Sequence, residues 1–448
     1  MSRPATFLVP VLLAVAAAAA ALAWNERQQL ADDGPIVRKE ALLESENDGL
    51  RSALDAAERK ASAATDALRR GEIERETSAI RELPFKHPVE YAVLDRAGIR
   101  QVVAEKLTQA YTDQEIQDMS TGYSALGLLP PNFPLKQTYI DLLGEQIAAF
   151  YDQHKHTLFM FRDASLDNSQ NRVILSHELT HALQDQNFGL AKLPLEARNN
   201  DDREAAASAL IEGDATLEMS QYMVKDMTWK TFADTATMSV TQSMEQLRKA
   251  PRYLRQMLVF PYVKGEQFCM AAYEDGGFSE LSDVYENPPT STAQILHPEK
   301  YFATPRENPI DVNIPDTTFQ GQKPVADNVL GEMGCRILFA MSSDEATAEA
   351  AAAGWRGDRY LVFDRGKTLV WHTVWNSKAG VEAAVSAMMG RFRNMTFVRS
   401  GDNLSAGDAA GRYVSLQITG TNEVVLTLTT NKESSDLLQQ KFAIASHG

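Results

Sequence analysis

Two histidines and a glutamate at metal-binding spacing are the residues of this sequence best suited to chemistry. His177, Glu178 and His181 form an H-E-x-x-H motif. Residues four apart on an α-helix share one face, so both imidazoles can hold one Zn²⁺ while the glutamate lies beside the open coordination position. Apolar residues flank the motif, and 187–189 provides a stop, which predicts an amphipathic helix around it. The spacing is typical of zinc metallopeptidases.

A catalytic zinc ion needs a third protein ligand, and we predict that Glu212 supplies it from the next helix. Glu212 follows an apolar face and precedes Gly213, whose missing side chain would let the two helices approach closely. Asp214 is predicted to hydrogen-bond to a zinc histidine. Glu204 and Glu218 are alternative ligands from the same predicted helix.

Residues further along the chain were considered as additional ligands or hydrogen-bond donors of the site. A third histidine ligand in H-E-x-x-H-x-x-G-x-x-H is excluded, because Gln184 and Asn187 occupy the Gly and His positions. His297 and Tyr301 lie in or next to a Pro-bounded loop, from which either could donate a hydrogen bond to an oxyanion. If His297 instead were a fourth ligand, the zinc site would be closed and structural.

Composition limits the class of protein. The chain has 448 residues, is 44% hydrophobic, and carries a formal net charge of -16. It can therefore bury a large core, and its acidity argues against nucleic acid or anionic lipid as the main partner. Cys269 and Cys335 are too few for a cysteine-rich zinc module; they could form one disulfide or be two buried thiols.

The first 24 residues predict export from the cytosol. Arg3 precedes an apolar, alanine-rich run from 7 to 24 that is long enough for a membrane span or the core of a signal peptide. We favour an uncleaved anchor in the inner membrane of a bacterial cell envelope, with the rest of the chain in the periplasm. The alternative is secretion after cleavage near Ala23.

A heptad pattern over 36–70 predicts a helical stalk. Leu43 and Leu50 occupy one seam position, and Asn47, Leu54 and Leu68 occupy the other. Asn47 would favour a two-stranded coil and hence a homodimer, whereas the alanines elsewhere in the seam would weaken it. A single solvated helix that acts as a spacer is the alternative.

Helices and strands alternate in two parts after the stalk. Helices are predicted at 95–110, 113–126 and 135–148, followed by a strand at 157–161 that could pair with a peptide substrate. Strands at 360–363, 368–375, 413–419 and 423–430, with helices at 379–392 and 434–444, predict a C-terminal antiparallel sheet covered by helices. The predicted domains are a leader (1–24), a spacer (25–80), a zincin-like domain (81–345) and a C-terminal α+β domain (346–448).

Five segments together resemble a group of bacterial proteins with a gluzincin-like peptidase core. They are HELTHALQDQ, AAFYDQHKHTLFM, EGDAT, PPTSTAQILHPEKY and GWRGDRY. The likeness spans about 80–375, and it implies zinc bound by His177, His181 and Glu212 with Glu178 as general base.

The predicted fold class is α+β, with a mainly helical zincin-like core around the motif helix, an N-terminal membrane segment, a stalk, and the C-terminal sheet. The predicted function is zinc-dependent hydrolysis of peptides or proteins in the cell envelope. The alternative is a non-catalytic envelope scaffold in which zinc holds helices together and the stalk and sheet bind partners.

Overall fold

The computed structural model describes residues 36–146, 149–162, 164–226, 244–314 and 317–445. The leader predicted over 1–24 lies outside these ranges. No helix within them has both the length and the apolar composition that a membrane crossing requires. Two compact units divide the chain, Met1–Glu74 and Arg75–Gly448.

The predicted stalk is one long helix, α1 (Ile36–Arg81). Several leucines of its heptad pattern are exposed, among them Leu50 at 44%, Leu54 at 57% and Leu68 at 63%. An exposed apolar seam is compatible with either a dimeric coil or a spacer, so the homodimer stays a prediction.

A small mixed sheet with three helices opens the second unit. Its strands are ordered β1-β3-β2, with β1 parallel and β2 antiparallel to β3. The helices begin at the capping residues that the sequence offers: Asp95 caps α2, and Thr112 forms a capping box with Glu115 on α3. The bounds are β1 (Glu90–Leu94), α2 (Arg96–Ala110), α3 (Asp113–Ala125), α4 (Leu135–Gln146), β2 (Ala149–Asp152) and β3 (Thr157–Phe161).

Two long helices follow the small sheet and pack on each other. The motif helix is α5 (Ser169–Phe188), and its neighbour α6 (Asp201–Asp226) carries the predicted third ligand. The remaining helices of this region are α7 (Met244–Lys249), α8 (Arg252–Val284), α9 (Thr292–Leu296) and α10 (Pro298–Phe302).

The C-terminal antiparallel sheet is present, with strand order β4-β5-β6-β10-β9-β8-β7. Its strands are rich in Val, Leu, Thr and Trp, which suits a pleated, buried surface. The bounds are β4 (Ala326–Asn328), α11 (Gly331–Phe339), α12 (Glu345–Ala352), β5 (Trp355–Phe363), β6 (Thr368–Trp375), α13 (Lys378–Gly390), β7 (Val398–Ser400), β8 (Asn403–Gly407), β9 (Tyr413–Thr419), β10 (Glu423–Thr429) and α14 (Lys432–Ala445).

The predicted fold class is wrong, because the helical core and the C-terminal sheet are not separate parts. Helix and sheet are mixed through one unit, and a single hydrophobic core includes Leu210 and Phe268 from the long helices and Trp355, Trp371 and Leu426 from the large sheet. No described helix supports the membrane segment that the fold class included. The sequence pattern identified the individual elements but not this shared core, because periodicity shows which face is apolar and not what covers it.

The two cysteines are buried free thiols and do not form a disulfide. Cys269 lies within 3.6 Å of the carbonyl oxygen of Leu210, so it contributes to the packing of α8 on α6.

Candidate metal centre

The motif helix is fixed at both ends by local structure. Asn168 caps its N-terminus, and its side chain accepts a hydrogen bond from the backbone N–H of Gln170. Gly189 ends it in a left-handed conformation with φ of 74°. Between these ends, His177 and His181 are both less than 10% exposed. Their imidazoles are thus held inside the protein rather than at its surface.

Three potential ligand atoms converge from α5 and α6. Nε2 of His177 lies 3.1 Å from Nε2 of His181. Oε2 of Glu212 lies 3.2 Å from the first of these nitrogens and 3.5 Å from the second. Two imidazole nitrogens and a carboxylate oxygen are the donor set of a catalytic zinc site. In the part of the chain that the structure describes, this is the one group of three or more His, Cys, Asp or Glu side chains placed to hold a metal ion.

Gln184 determines which nitrogen of His181 carries the proton. Its Nε2 donates to the carbonyl oxygen of Ile211 at 3.0 Å and to Oδ2 of Asp214 at 2.9 Å. Because both partners are acceptors, the Gln184 amide oxygen must face Nδ1 of His181, which lies 2.9 Å away. Nδ1 therefore carries a proton, and Nε2 is the ring nitrogen that faces Glu212 and is available to a metal ion. This tautomer is the one that binds a metal, so the side chains present fit Zn²⁺.

Asp214 supports the site one step further out than predicted. It contacts His181 through Gln184 instead of binding a histidine directly. It also forms a fully buried ion pair with Arg81, whose Nε lies 2.6 Å from Oδ1, and it accepts a hydrogen bond of 2.8 Å from the Tyr285 hydroxyl. The carboxylate is thus satisfied on several sides, which holds the Gln184 amide in its orientation.

Glu178 lies partly buried beside the ligand atoms and is held by the small sheet. Its Oε2 accepts a 2.8 Å hydrogen bond from the backbone N–H of Tyr151 in β2. The Tyr151 hydroxyl in turn donates to Asp185 on the motif helix, at 2.8 Å. Burial raises the pKa of Glu178, and the neighbouring histidines only partly oppose that shift. A carboxylate with a raised pKa is suited to general base catalysis.

Gly213 was predicted to let α6 approach the motif helix closely. The close contact at Gly213 is instead formed with α8. A methyl group on Gly213 would overlap the backbone of Gly265, and a methyl group on Gly265 would overlap the backbone of Ala209. Both glycines are therefore required for α6 to lie this close to α8. The contact lies next to Glu212 in the chain, so it helps to position the part of α6 that carries this residue.

Tyr262 on α8 also lies at the site. Its ring stacks on the ring of His177 with centroids 6.1 Å apart, and the charge of Glu212 acts on its hydroxyl. The side chain is 42% exposed. The negative charge of Glu212, with burial, raises the pKa of Tyr262 well above its usual value. The hydroxyl is therefore a donor at the mouth of the site.

Four predicted site residues have their described contacts elsewhere. Glu204 accepts from the Tyr111 hydroxyl and Glu218 from the Thr180 hydroxyl, and burial raises the pKa of each carboxyl to about 8. His297 lies 2.6 Å from Glu332, and Tyr301 donates to the carbonyl oxygen of Asn287. None of these described contacts involves the three ligand residues, so we assign these four side chains structural roles.

Three supporting residues, Gln184, Arg81 and Tyr262, were missed as site residues because their roles depend on tertiary contacts. Gln184 lies three residues after His181, on the same helix face, and that spacing was available from the sequence. Arg81 lies 133 residues before Asp214. No local pattern connects those two positions.

One part of the chain matches a known family model. Residues 318–437 match a family model described as a domain of unknown function (DUF8575). The match includes all seven strands of the large sheet and excludes the H-E-x-x-H motif. Searches among curated proteins and among solved structures found no match.

Proposed function

We propose that this protein is a zinc-dependent peptidase. The observation that carries the proposal is the convergence of His177 Nε2, His181 Nε2 and Glu212 Oε2 on one point, with Glu178 partly buried beside them. Three protein ligands leave the fourth position of a tetrahedral zinc site for water, as catalytic sites require. His177, His181 and Glu212 would hold the ion.

A bound zinc ion would act as a Lewis acid and lower the pKa of a water molecule at its open position. Glu178 accepts the proton of the attacking water. The Tyr151 N–H holds Oε2 of this carboxylate, which leaves Oε1 for that proton, and the same oxygen then delivers it to the leaving amine. Tyr262 supplies a hydroxyl donor at the mouth of the site for the negative charge that forms on the scissile carbonyl oxygen.

The small sheet provides a binding surface for an extended substrate, although on a different strand from the predicted one. The predicted strand, β3, lies between β1 and β2 and has no free edge, whereas β2 is at the edge. An edge strand offers backbone groups that can pair with a peptide. Because the Tyr151 N–H of β2 binds Glu178, a peptide paired with β2 would lie next to the general base.

The alternative, a zinc-stabilised scaffold, would need a fourth protein ligand. His297 was the candidate, and its Nε2 contacts Glu332. The open position therefore favours catalysis.

Metal content and ligand geometry test the proposal. We would measure zinc by elemental analysis and X-ray absorption on the full chain, comparing the wild type with Glu212→Ala. We expect one zinc ion bound by two imidazoles, one carboxylate and one water-like oxygen, and weaker binding in the variant. Glu266→Ala, on the neighbouring helix α8, is the matched control and should keep full zinc content.

Two results would contradict the proposal. One is a preparation with no stoichiometric zinc after loading and dialysis. The other is a site closed by four protein ligands, which would indicate a structural role instead. If the site proves to be open, a substrate can be sought in a mixture of peptides. Glu178→Gln serves as the inactive reference in that search.

A further inference from the structure

A second site lies in a cavity between helix α3 and the large sheet. The cavity has a volume of about 600 Å³, and it is lined by residues that follow α3, by the segment after α13 and by strands β6 and β10. Cavities of this size accommodate small organic molecules. Most of its lining belongs to the region that matches the domain of unknown function.

Three arginines line this cavity, and within the described residues no Asp or Glu does. That concentration of positive charge stands out in a chain whose net charge is -16. Arg412 is paired with Asp408, at 2.7 Å, and Arg393 donates to the carbonyl oxygen of Gly390. Arg391 donates to the carbonyl oxygen of Leu126, and its guanidinium lies 5.6 Å from the centre of the Phe392 ring. The contacts described for Arg391 and Arg393 thus include no carboxylate.

The environment of Arg391 is costly for an uncompensated charge. Burial lowers the pKa of Arg391 to about 10, and no acidic group opposes the shift. The Arg391 side chain is partly buried, and a guanidinium in such a position is commonly paired with an anion. Gly127 adopts a φ of 77°, and a methyl group there would overlap the Arg391 guanidinium, so the backbone is shaped to admit this side chain.

The rest of the lining is mixed. Ser124, Ser342 and Asn394 are polar, and the larger apolar lining residues are Met341, Leu369, Phe392, Met395 and Leu428. Met341 is 49% exposed, and Phe392 and Leu428 are partly buried, so these three leave apolar surface in contact with water. An apolar group attached to the anion would cover that surface and gain hydrophobic stabilisation.

We propose that this cavity binds a small organic anion, with its carboxylate or phosphate group between Arg391 and Arg393 and its apolar body against Met341, Phe392 and Leu428. The site is separate from the metal centre and does not depend on peptidase activity. Arginine presents paired N–H donors to carboxylate and phosphate oxygens, which makes either head group suitable.

Isothermal titration calorimetry on the full chain tests this proposal. The probes are octanoate and octyl phosphate, which share an apolar chain and differ in head group, with octanol and inorganic phosphate as controls. We expect one site per chain for at least one of the two organic anions, and the tighter binder identifies the preferred head group. Octanol and inorganic phosphate should each bind at least about tenfold more weakly, because each lacks one half of the interaction.

Variants assign the binding to the arginines. Arg391→Gln and Arg393→Gln should each weaken binding by about tenfold, because each removes a charged hydrogen-bond donor. Arg399→Gln is the matched control, because Arg399 is exposed and does not line the cavity. Arg393 is also exposed, so its variant keeps the test valid if Arg391→Gln fails to fold.

Each remaining outcome overturns the proposal. Absence of saturable binding for both organic anions excludes the site. Equal affinity for octanol and octanoate shows that charge has no role, and equal affinity for inorganic phosphate shows that the apolar wall has none. Unchanged affinity in both Arg391→Gln and Arg393→Gln places the binding elsewhere on the chain.

Discussion

The metal centre and the arginine-lined cavity surround their charged groups in different ways. At the candidate metal centre, successive layers of side chains hold one of the proposed ligands: Gln184 orients His181, Asp214 orients Gln184, and Arg81 with Tyr285 holds Asp214. In the cavity, Arg391 has a backbone carbonyl and an aromatic ring as its described partners. The protein thus orients His181 by itself, while the proposed cavity site would rely on its ligand for compensation.

This difference indicates how each site should respond to mutation. A preorganised site loses function when a supporting residue changes, even if that residue is far from the reacting atoms. A site that relies on its ligand should respond mainly to changes in the residues that touch the ligand. Effects on one site should leave the other unchanged, because the two sets of lining residues do not overlap.

The largest expected effect is on catalysis. Glu178→Gln should reduce peptide hydrolysis by about 10²–10⁴-fold, because the amide cannot accept a proton from water. Zinc content and octanoate affinity should both remain at the wild-type level. The measurement is turnover of a peptide that the wild type cleaves, with Glu280→Gln as a control on α8. Full activity in Glu178→Gln would remove this residue from the mechanism.

The second effect is on stability and concerns the outermost support of the metal centre. Arg81→Met should destabilise the protein by about 3–5 kcal/mol, because it leaves the buried Asp214 carboxylate without its ion-pair partner. Urea unfolding monitored by circular dichroism measures this change in the free energy of unfolding.

Lys432→Met is the matched control for Arg81→Met. It breaks the ion pair with Asp436, whose side chain is 48% exposed, and should cause no measurable change in stability. Equal stability of Arg81→Met and the wild type would show that the buried pair is not a support of the site.

The third effect is on zinc affinity alone. Gln184→Met keeps the volume of the side chain but removes the acceptor of the His181 Nδ1–H, so zinc should bind about 10–100-fold more weakly. Competition with a chromophoric chelator measures this affinity. Gln186→Met is the control. Gln186 lies on the same helix but accepts a hydrogen bond from the backbone N–H of Lys86, so the variant should bind zinc normally. An unchanged affinity in Gln184→Met would refute the proposed control of the tautomer.

The smallest effect separates the cavity from the metal centre. Gly127→Ala should destabilise the protein by more than the roughly 1 kcal/mol expected for alanine at a positive φ, since its methyl group also displaces Arg391. Gly420→Ala supplies the comparison, with a φ of 61° and open space around it. Octanoate affinity should fall in Gly127→Ala only, and zinc affinity in neither. Equal octanoate affinity in the two variants would mean that Gly127 does not position Arg391.

The sequence alone predicted much of the fold at the level of single elements. The helix predicted at 95–110 is Arg96–Ala110, and the strand predicted at 157–161 is Thr157–Phe161. These elements have strong local determinants, such as the Asp95 cap and the β-prone residues of the strand. The order of strands and the shared core were not predictable, because both depend on contacts between distant segments.

Only part of the candidate site could be predicted from the sequence, for the same reason. His177 and His181 follow from a spacing of four, and Glu212 follows from the need for a third ligand on a neighbouring helix. The supports Arg81 and Tyr262 reach the site from other helices, and the sequence gives no local reason to connect them with the motif. Arg391 and Gly127 likewise meet at the cavity although they are far apart in the chain.

The division of the ligand residues between α5 and α6 has a consequence for the order of folding. Glu212 and His177 are 35 positions apart, and they meet only when α6 has docked against α5. Each half of the site can form early with its own helix, but the proposed zinc binding requires both. The rate at which a refolding chain acquires affinity for zinc should therefore report the docking of α6 on α5, and a metal-sensitive dye in a stopped-flow experiment would record that step.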